Sequence, residues 1–135
     1  PGAIGYVELA YAVQNKMPFA NIQNKSGKYI TPTLKATTLA SNVSIPADTK
    51  VSITNTDNAA GYPIASFTWA LIYKEQNYSG RSKAKATALV KLLWYNIHQG
   101  QKACAPLNYA PLSASAVKAA EAVLRSATYG GKAIL

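Results

Sequence analysis

The apolar positions begin with residues 3–7, AIGYV, apolar except for the Tyr6 hydroxyl. With β-branched Ile4 and Val7, and the Pro1-Gly2 turn signal before it, this stretch predicts a short buried strand. Glu8 then stands where the positive end of a helix dipole favours an anion. Residues 8–16, ELAYAVQNK, are rich in helix formers, with Leu9, Ala12 and Val13 at helical spacing. A strand running straight into a helix is half of a β-α-β crossover. Such a unit needs parallel neighbours on its sheet, so the pattern predicts a piece cut from a larger α/β sheet.

Further along, Met17-Pro18 ends the first helix, because proline lacks the amide donor and biases its predecessor away from the α region. Residues 19–31 predict a hairpin, with Ile22 and Tyr29-Ile30 flanking the turn residues Asn24, Lys25, Ser26 and Gly27. Thr31-Pro32 is expected to cap and open a helix that carries Leu34, Thr38 and Leu39 and fades near Asn42. Residues 42–62 predict a loop-rich excursion with one short strand around Val51 and Ile53. In residues 62–74, Phe67, Trp69, Leu71 and Tyr73 alternate with Thr68, Ala70 and Ile72, which predicts a strand buried on both faces.

Residues 75–81 form a polar loop. Ser82 is then the expected cap of a long helix ending at Gly100, with Ala86, Leu89, Leu92, Leu93 and Ile97 as its apolar stripe. Lys83, Thr87, Lys91 and His98 fall on the opposite side, and His98 is read as a surface residue compatible with the helix C-terminus. After a loop with two prolines, Ser113 is expected to cap a last helix. Its inward face is Val117, Ala120, Leu124 and Ala127, Glu121 and Arg125 make a surface pair at i, i+4, and Gly130-Gly131 ends it. The chain has no internal repeat and no heptad pattern.

At 135 residues and 49% hydrophobic content, the length suits one domain with a real core. No apolar run is long enough to span a membrane. The net charge of +9 invites a nucleic-acid reading. Twelve of the fourteen cations are Lys, however, and they are spread singly from Lys16 to Lys132, whereas nucleic-acid binders concentrate cations on one element. The charge therefore reads as a solvated basic surface or as attraction to an acidic partner or small anions, with no nucleic-acid partner expected. Cys104 is alone, so an intrachain disulfide within these residues and a paired-cysteine metal site are excluded. It reads as a small buried hydrophobe.

The chemistry-bearing residues are few: Glu8, Asp48, Asp57, Glu75 and Glu121, with His98 and Cys104, far apart in sequence. No nucleophile elbow, P-loop or dinucleotide fingerprint occurs, so no enzyme, catalytic residue, cofactor or metal site is expected. The triplets starting at Asn24, Asn42 and Asn77 match the N-glycosylation pattern but read as chance in so Asn- and Ser-rich a chain.

PGAIGYVELAYAVQN at 1–15, SGKYITP at 26–32, SITN at 52–55, YPIASFTWALIYK at 62–74 and LNYAPL at 107–112 occur in one order along the chain. In these landmarks the sequence resembles the PstS-like substrate-binding proteins of bacterial ABC phosphate importers, together with their DING-type secreted relatives. The resemblance covers only the C-terminal portion of the family's length. It implies an α/β fold of the periplasmic-binding-protein type II-like class, with two lobes joined by a hinge. Residues 1–62 would close lobe two and residues 63–135 would return to complete lobe one, with the crossing strand near 62–67. Two separated clusters of contacts are then expected in place of one core.

In that family phosphate is held by helix-terminal amides, Ser and Thr hydroxyls, an Arg and an Asp. Such a set neutralises a dehydrated dianion and accepts the proton of hydrogen-phosphate. The resemblance puts those ligands upstream of Pro1, so no phosphate-binding residue is expected in this chain. Arg81 and Arg125 do not match the family's Arg. The implied partners are the N-terminal portion of the same protein, inorganic phosphate bound by the complete protein, and ABC permease subunits. The implied location is periplasmic or secreted. The alternative reading is a DING-type secreted protein or fragment that contacts another macromolecule through its basic surface.

Overall fold

The computed structural model describes residues 2–135, a mixed helix and strand arrangement in which the helices dominate. Helix α1 covers Leu9–Gln14, with Glu8 as its N-cap in extended geometry and Ala10 and Ala12 buried. A small hairpin follows, β1 (Ile22–Gln23) and β2 (Tyr29–Ile30), paired antiparallel with Ile22 opposite Ile30. Its turn is organised by buried Asn24, whose Oδ1 accepts the amides of Ser26 and Lys28 while its Nδ2 donates to the carbonyls of Ala59 and Gly61. That side-chain amide is fully engaged, which agrees with reading its glycosylation triplet as chance.

Helix α2 (Leu34–Ala40) is capped by Thr33, whose hydroxyl accepts the Ala36 amide at 3.1 Å. The cap therefore lies two residues beyond the expected Thr31, whose hydroxyl is bonded to Asn21 instead. The excursion after α2 carries no strand at Val51 and Ile53. Ile53 is nonetheless buried and packs with Ala40 and Ala65, with Val43 and Phe67 alongside. The loop is tied down by hydrogen bonds, Tyr62 N to the Ala36 carbonyl at 3.0 Å and Thr56 Oγ1 to that of Ala40 at 3.3 Å. Gly61 is needed for space: a Cβ there would stand 3.1 Å from the Ala40 backbone.

Helix α3 (Lys83–Ile97) starts as expected, with the Ser82 hydroxyl accepting the Lys85 amide. It does not stop at Gly100. His98 is its C-cap, and two 3₁₀ turns, Gln99–Ala103 and Ala105–Leu107, continue the path. Helix α4 (Ala114–Arg125) is capped by Ser113 as expected. Helices α3 and α4 pack together, and Val90, Leu124 and Ala127 form a second buried cluster, with Ile72, Leu93, Trp94, Ile97 and Ile134 packed around it. Leu124 and Ala127 lie inward as expected, but Val90 holds the centre of the α3 stripe while Leu92 faces out. Helix α4 ends at Arg125, short of the expected stop at Gly130-Gly131. The chain turns there into a hairpin of β3 (Thr128–Tyr129) and β4 (Lys132–Ala133).

Two further expected strands are not formed. Residues 3–7 lie in no ladder and are exposed, and residues 62–74 lie in no ladder either. Trp69, Leu71 and Tyr73 are exposed, while Ala65 is buried and Phe67 and Ile72 reach the two clusters. A strand is stable only when neighbours satisfy its backbone donors and acceptors, and among the described residues, 3–7 have no such neighbour while 62–74 have only scattered bonds, among them those from the Asn55 amide to the Pro63 carbonyl and from the Thr128 amide to that of Lys74. Pro1, part of the turn signal read in the sequence, lies outside the described residues.

Candidate interaction surface

Large apolar side chains are exposed along those two unladdered segments. Ile4 is 100% exposed and Tyr6 99%, and Val7, Tyr11 and Val13 continue the exposed run into α1. On the second segment Leu71 is 94% exposed, and Ile64, Trp69 and Tyr73 are exposed with it. Large apolar side chains arranged this way mark surface that another element covers, and unpaired strand-like backbone beside them can accept a ladder. The first segment is tied to the rest through Glu8, whose Oε2 accepts the Tyr109 hydroxyl at 3.1 Å, a contact between the first and last of the sequence landmarks. That hydrogen bond raises the Tyr109 pKa above its ordinary value, since the carboxylate favours the protonated phenol. Near the same landmark the Thr38 hydroxyl donates to the Pro111 carbonyl and that of Ser113 to the Ser41 carbonyl, joining α2 to the start of α4.

Among the described residues, the two Arg side chains are each engaged by their own neighbours. Arg81 donates to Gln76 Oε1 at 2.8 Å and stacks over Tyr78 at 4.8 Å. Arg125 lies over the Trp94 ring at 4.7 Å and does not pair with Glu121 as the sequence spacing predicted. Both guanidinium groups are thus held by their own neighbours. Among the described residues, no three His, Cys, Asp or Glu side chains gather in metal-binding geometry. Asp57 pairs with Lys25, Asp48 accepts the Lys50 amide, and Cys104 lines an open groove of about 310 Å³ with Gln101, Leu107 and Tyr109. Cys104 is half-buried where full burial was expected.

His98 is not the isolated surface residue predicted. Its Nδ1 lies 2.8 Å from the Trp94 carbonyl and its Nε2 2.7 Å from Glu121 Oε1, while its ring stacks on Trp94 with centroids 4.6 Å apart. Sequence reasoning missed this because Glu121 is 23 residues away, on a helix whose contact with α3 no local pattern reveals. Two acceptors favour the doubly protonated ring, so the His98 pKa is raised, first by the Trp94 carbonyl and then by Glu121. A raised folded-state pKa means that the stabilisation is fully present below the ordinary value of 6.5 and is lost as pH rises through the folded value. An NMR titration of the His98 ring is expected to show a midpoint above 6.5, moving down in Glu121→Gln. An unchanged midpoint in that variant would exclude the ion pair.

Glu75 carries the largest perturbation. Its carboxylate accepts the amides of Asn77, Gly130 and Gly131 and the Thr128 hydroxyl, at 2.8 to 3.0 Å. The Gly131 amide, followed by those of Asn77 and Gly130, holds its pKa at about 2. This carboxylate fastens the segment leaving residues 62–74 to the C-terminal hairpin, alongside a parallel bridge between Glu75 and Thr128.

No family model matches the chain. It is similar to proteins named phosphate-binding protein PstS. That of Xylella fastidiosa is 36% identical over 124 residues, covering 90% of this chain and 33% of the relative. That of Methanocaldococcus jannaschii is 36% identical over 111 residues, 76% of this chain and 28% of the relative. That of Haemophilus influenzae is 30% identical over 118 residues, 85% and 34%. The chain spans about a third of the length of the curated relatives it matches.

Proposed function

Because the chain belongs to the PstS-like family of phosphate-binding proteins, we propose that it is the C-terminal portion of an inorganic-phosphate-binding protein that serves an ABC phosphate transporter. In this reading it supplies scaffold and hinge, and the phosphate ligands lie in the portion upstream of Pro1. The complete protein has the two-lobed fold of the type II periplasmic-binding class, with residues 1–62 in one lobe and 63–135 in the other. It works in the periplasm or as a secreted protein, against permease subunits of the transporter.

The observation that carries the reading is the pair of unladdered apolar segments, 3–7 and 62–74, in a chain a third the length of its relatives. Strands contributed by the rest of the protein would bury Ile4, Tyr6 and Leu71 and satisfy the backbone beside them. Two separate buried clusters support a division between lobes, with Ala65 and Phe67 reaching the first cluster from the crossing segment, and the engaged state of Arg81 and Arg125 supports ligands elsewhere. Isothermal titration with inorganic phosphate tests it: the intact protein binds, and residues 1–135 alone do not. Binding by this chain alone would overturn the assignment of the ligands.

A second reading has an observation of its own. Among the described residues, Lys25 is the one Lys or Arg of fourteen paired with a carboxylate, so the positive surface is nearly uncompensated. That favours attraction of an acidic macromolecule, as the DING-type alternative requires. Association of this chain with an acidic protein in the absence of any phosphate-binding portion would support it.

A further inference from the structure

His98 sits between two hydrogen-bond acceptors, one on its own helix and one on α4. Its Nδ1 is 2.8 Å from the Trp94 carbonyl and its Nε2 is 2.7 Å from Glu121 Oε1. A neutral imidazole carries one N–H, so it satisfies one of these acceptors and turns a lone pair towards the other. Only the imidazolium serves both. The stack of the ring on Trp94, with centroids 4.6 Å apart, adds to that preference, because an aromatic face attracts a cation. The contact between the end of α3 and α4 therefore depends on one proton.

The charged groups that act on the ring are on α4. Glu121 favours the proton, and Arg125, lying over the Trp94 ring, opposes it. Helix α3 has lysines but no Asp or Glu, and the 3₁₀ turn after it brings Lys102 alone. The other segments packed on this cluster bring Ile72 and Ile134, which do not titrate.

His98 is also the root of the 3₁₀ path that leaves α3. Its carbonyl accepts the Gln101 amide at 3.1 Å, that of Gln101 the Cys104 amide at 3.1 Å, and that of Cys104 the Tyr109 amide at 2.9 Å. Gln101 braces the path from the side, its Oε1 accepting the Leu112 amide and its Nε2 donating to the Asn96 carbonyl, each at 2.7 Å. The path ends at the contacts that join the α3–α4 half to the N-terminal half: Tyr109 with Glu8, Pro111 with Thr38 and Ser113 with Ser41. We propose that His98 is a proton-operated clasp, which when charged fixes the 3₁₀ path leading from α3 to these contacts and when neutral releases either Trp94 or Glu121, so that the joint between the two halves loosens as pH rises. The sign agrees with linkage, since the folded protein holds this proton more tightly than the unfolded chain, and the clasp is set below the ordinary value of 6.5 and opens as pH rises through the higher folded value. It uses contacts within this chain alone and stands or falls separately from the assignment of the phosphate ligands.

Hydrogen exchange read by NMR on the intact protein, from about pH 5 to about pH 8, tests it. Protection of the Gln101, Cys104 and Leu112 amides, taken relative to an unfolded chain at the same pH, is expected to fall roughly threefold or more with the midpoint of the His98 ring titration. That of Val90, in the middle of α3, should stay level. In Glu121→Gln the step should flatten with Val90 unchanged, because the glutamine amide accepts from the charged ring and donates to the neutral one. In His98→Asn, which has nothing to titrate, the step should vanish. Level protection of the three amides across the wild-type titration overturns the proposal. A step that survives in either variant overturns it too, since another group is then responsible, and so does an equal loss at Val90, which makes the effect one of the whole fold.

Discussion

Leu124→Ala is expected to lower the free energy of unfolding by about 3 kcal/mol, the middle of the range for truncating a buried leucine. Leu124 is buried on α4 and meets Val90 of α3 and Ala127 just past its own helix. Of the surrounding side chains Trp94 also comes from α3, while Ile72 and Ile134 come from two further parts of the chain, each tied in by backbone bonds at or near it. The Thr128 amide donates to the Lys74 carbonyl at 2.8 Å and that of Ile134 to the Ala127 carbonyl at 3.1 Å. Walls fastened independently cannot all move inward, so the deleted side chain leaves a cavity, and the lost contacts add to the lost transfer energy. Leu92→Ala, on the exposed face of α3, is the control and is expected to change stability by no more than about 0.5 kcal/mol. Urea unfolding of both variants, with an unchanged denaturant slope, measures the difference. Equal midpoints would mean that the Leu124 cluster is not the core of this half of the molecule.

The elements legible in the sequence are those whose signals are local. Ser82 and Ser113 announce α3 and α4 because a hydroxyl cap acts within one turn of itself, and the 22–30 hairpin follows from its turn residues. The elements misread are those whose outcome depends on distant chain. The alternation in residues 62–74 is a sound strand pattern, but a ladder needs a partner along its length, and among the described residues backbone partners meet it only towards its ends, Ala36 and Asn55 near the start and Thr128 at the far end. The same holds for residues 3–7. The α3 stripe was drawn through Leu92 and missed Val90 because apolar residues surround that helix, and periodicity cannot say which of two apolar faces turns inward. The terminal hairpin escaped because strands of two residues carry no alternation to detect.

Glu75→Gln is expected to release the C-terminal hairpin while leaving α3 and α4 in place. The wild-type carboxylate is an acceptor on both oxygens: Oε1 receives the Asn77 and Gly130 amides, and Oε2 receives the Gly131 amide and the Thr128 hydroxyl. Glutamine keeps the shape but turns one of those oxygens into a donor that faces at least one backbone amide, so one or two bonds are lost and the charge assistance of the rest disappears. The turn beneath is built on Gly130 and Gly131, at φ +59° and +75°, a conformation open to glycine at little cost, which lets both amides point at one carboxylate. Hydrogen exchange at those two amides should therefore accelerate by roughly tenfold or more in the variant. Acid should reproduce the effect in the wild type. With the folded pKa depressed from 4.5 to about 2, the stabilisation is fully present above the ordinary value and is lost as pH falls through about 2. The amide shifts of Gly130 and Gly131 should follow that titration in the wild type and stay flat across it in Glu75→Gln. A variant whose glycine amides still titrate with the wild-type midpoint would show that another group holds the hairpin. Among the described residues, once Glu75 lets go, the Lys74 and Gln76 backbone bonds to Thr128 and the packing of Ile72 beside Ala127 and Ile134 would then remain as ties between the segment that ends at Glu75 and the last residues.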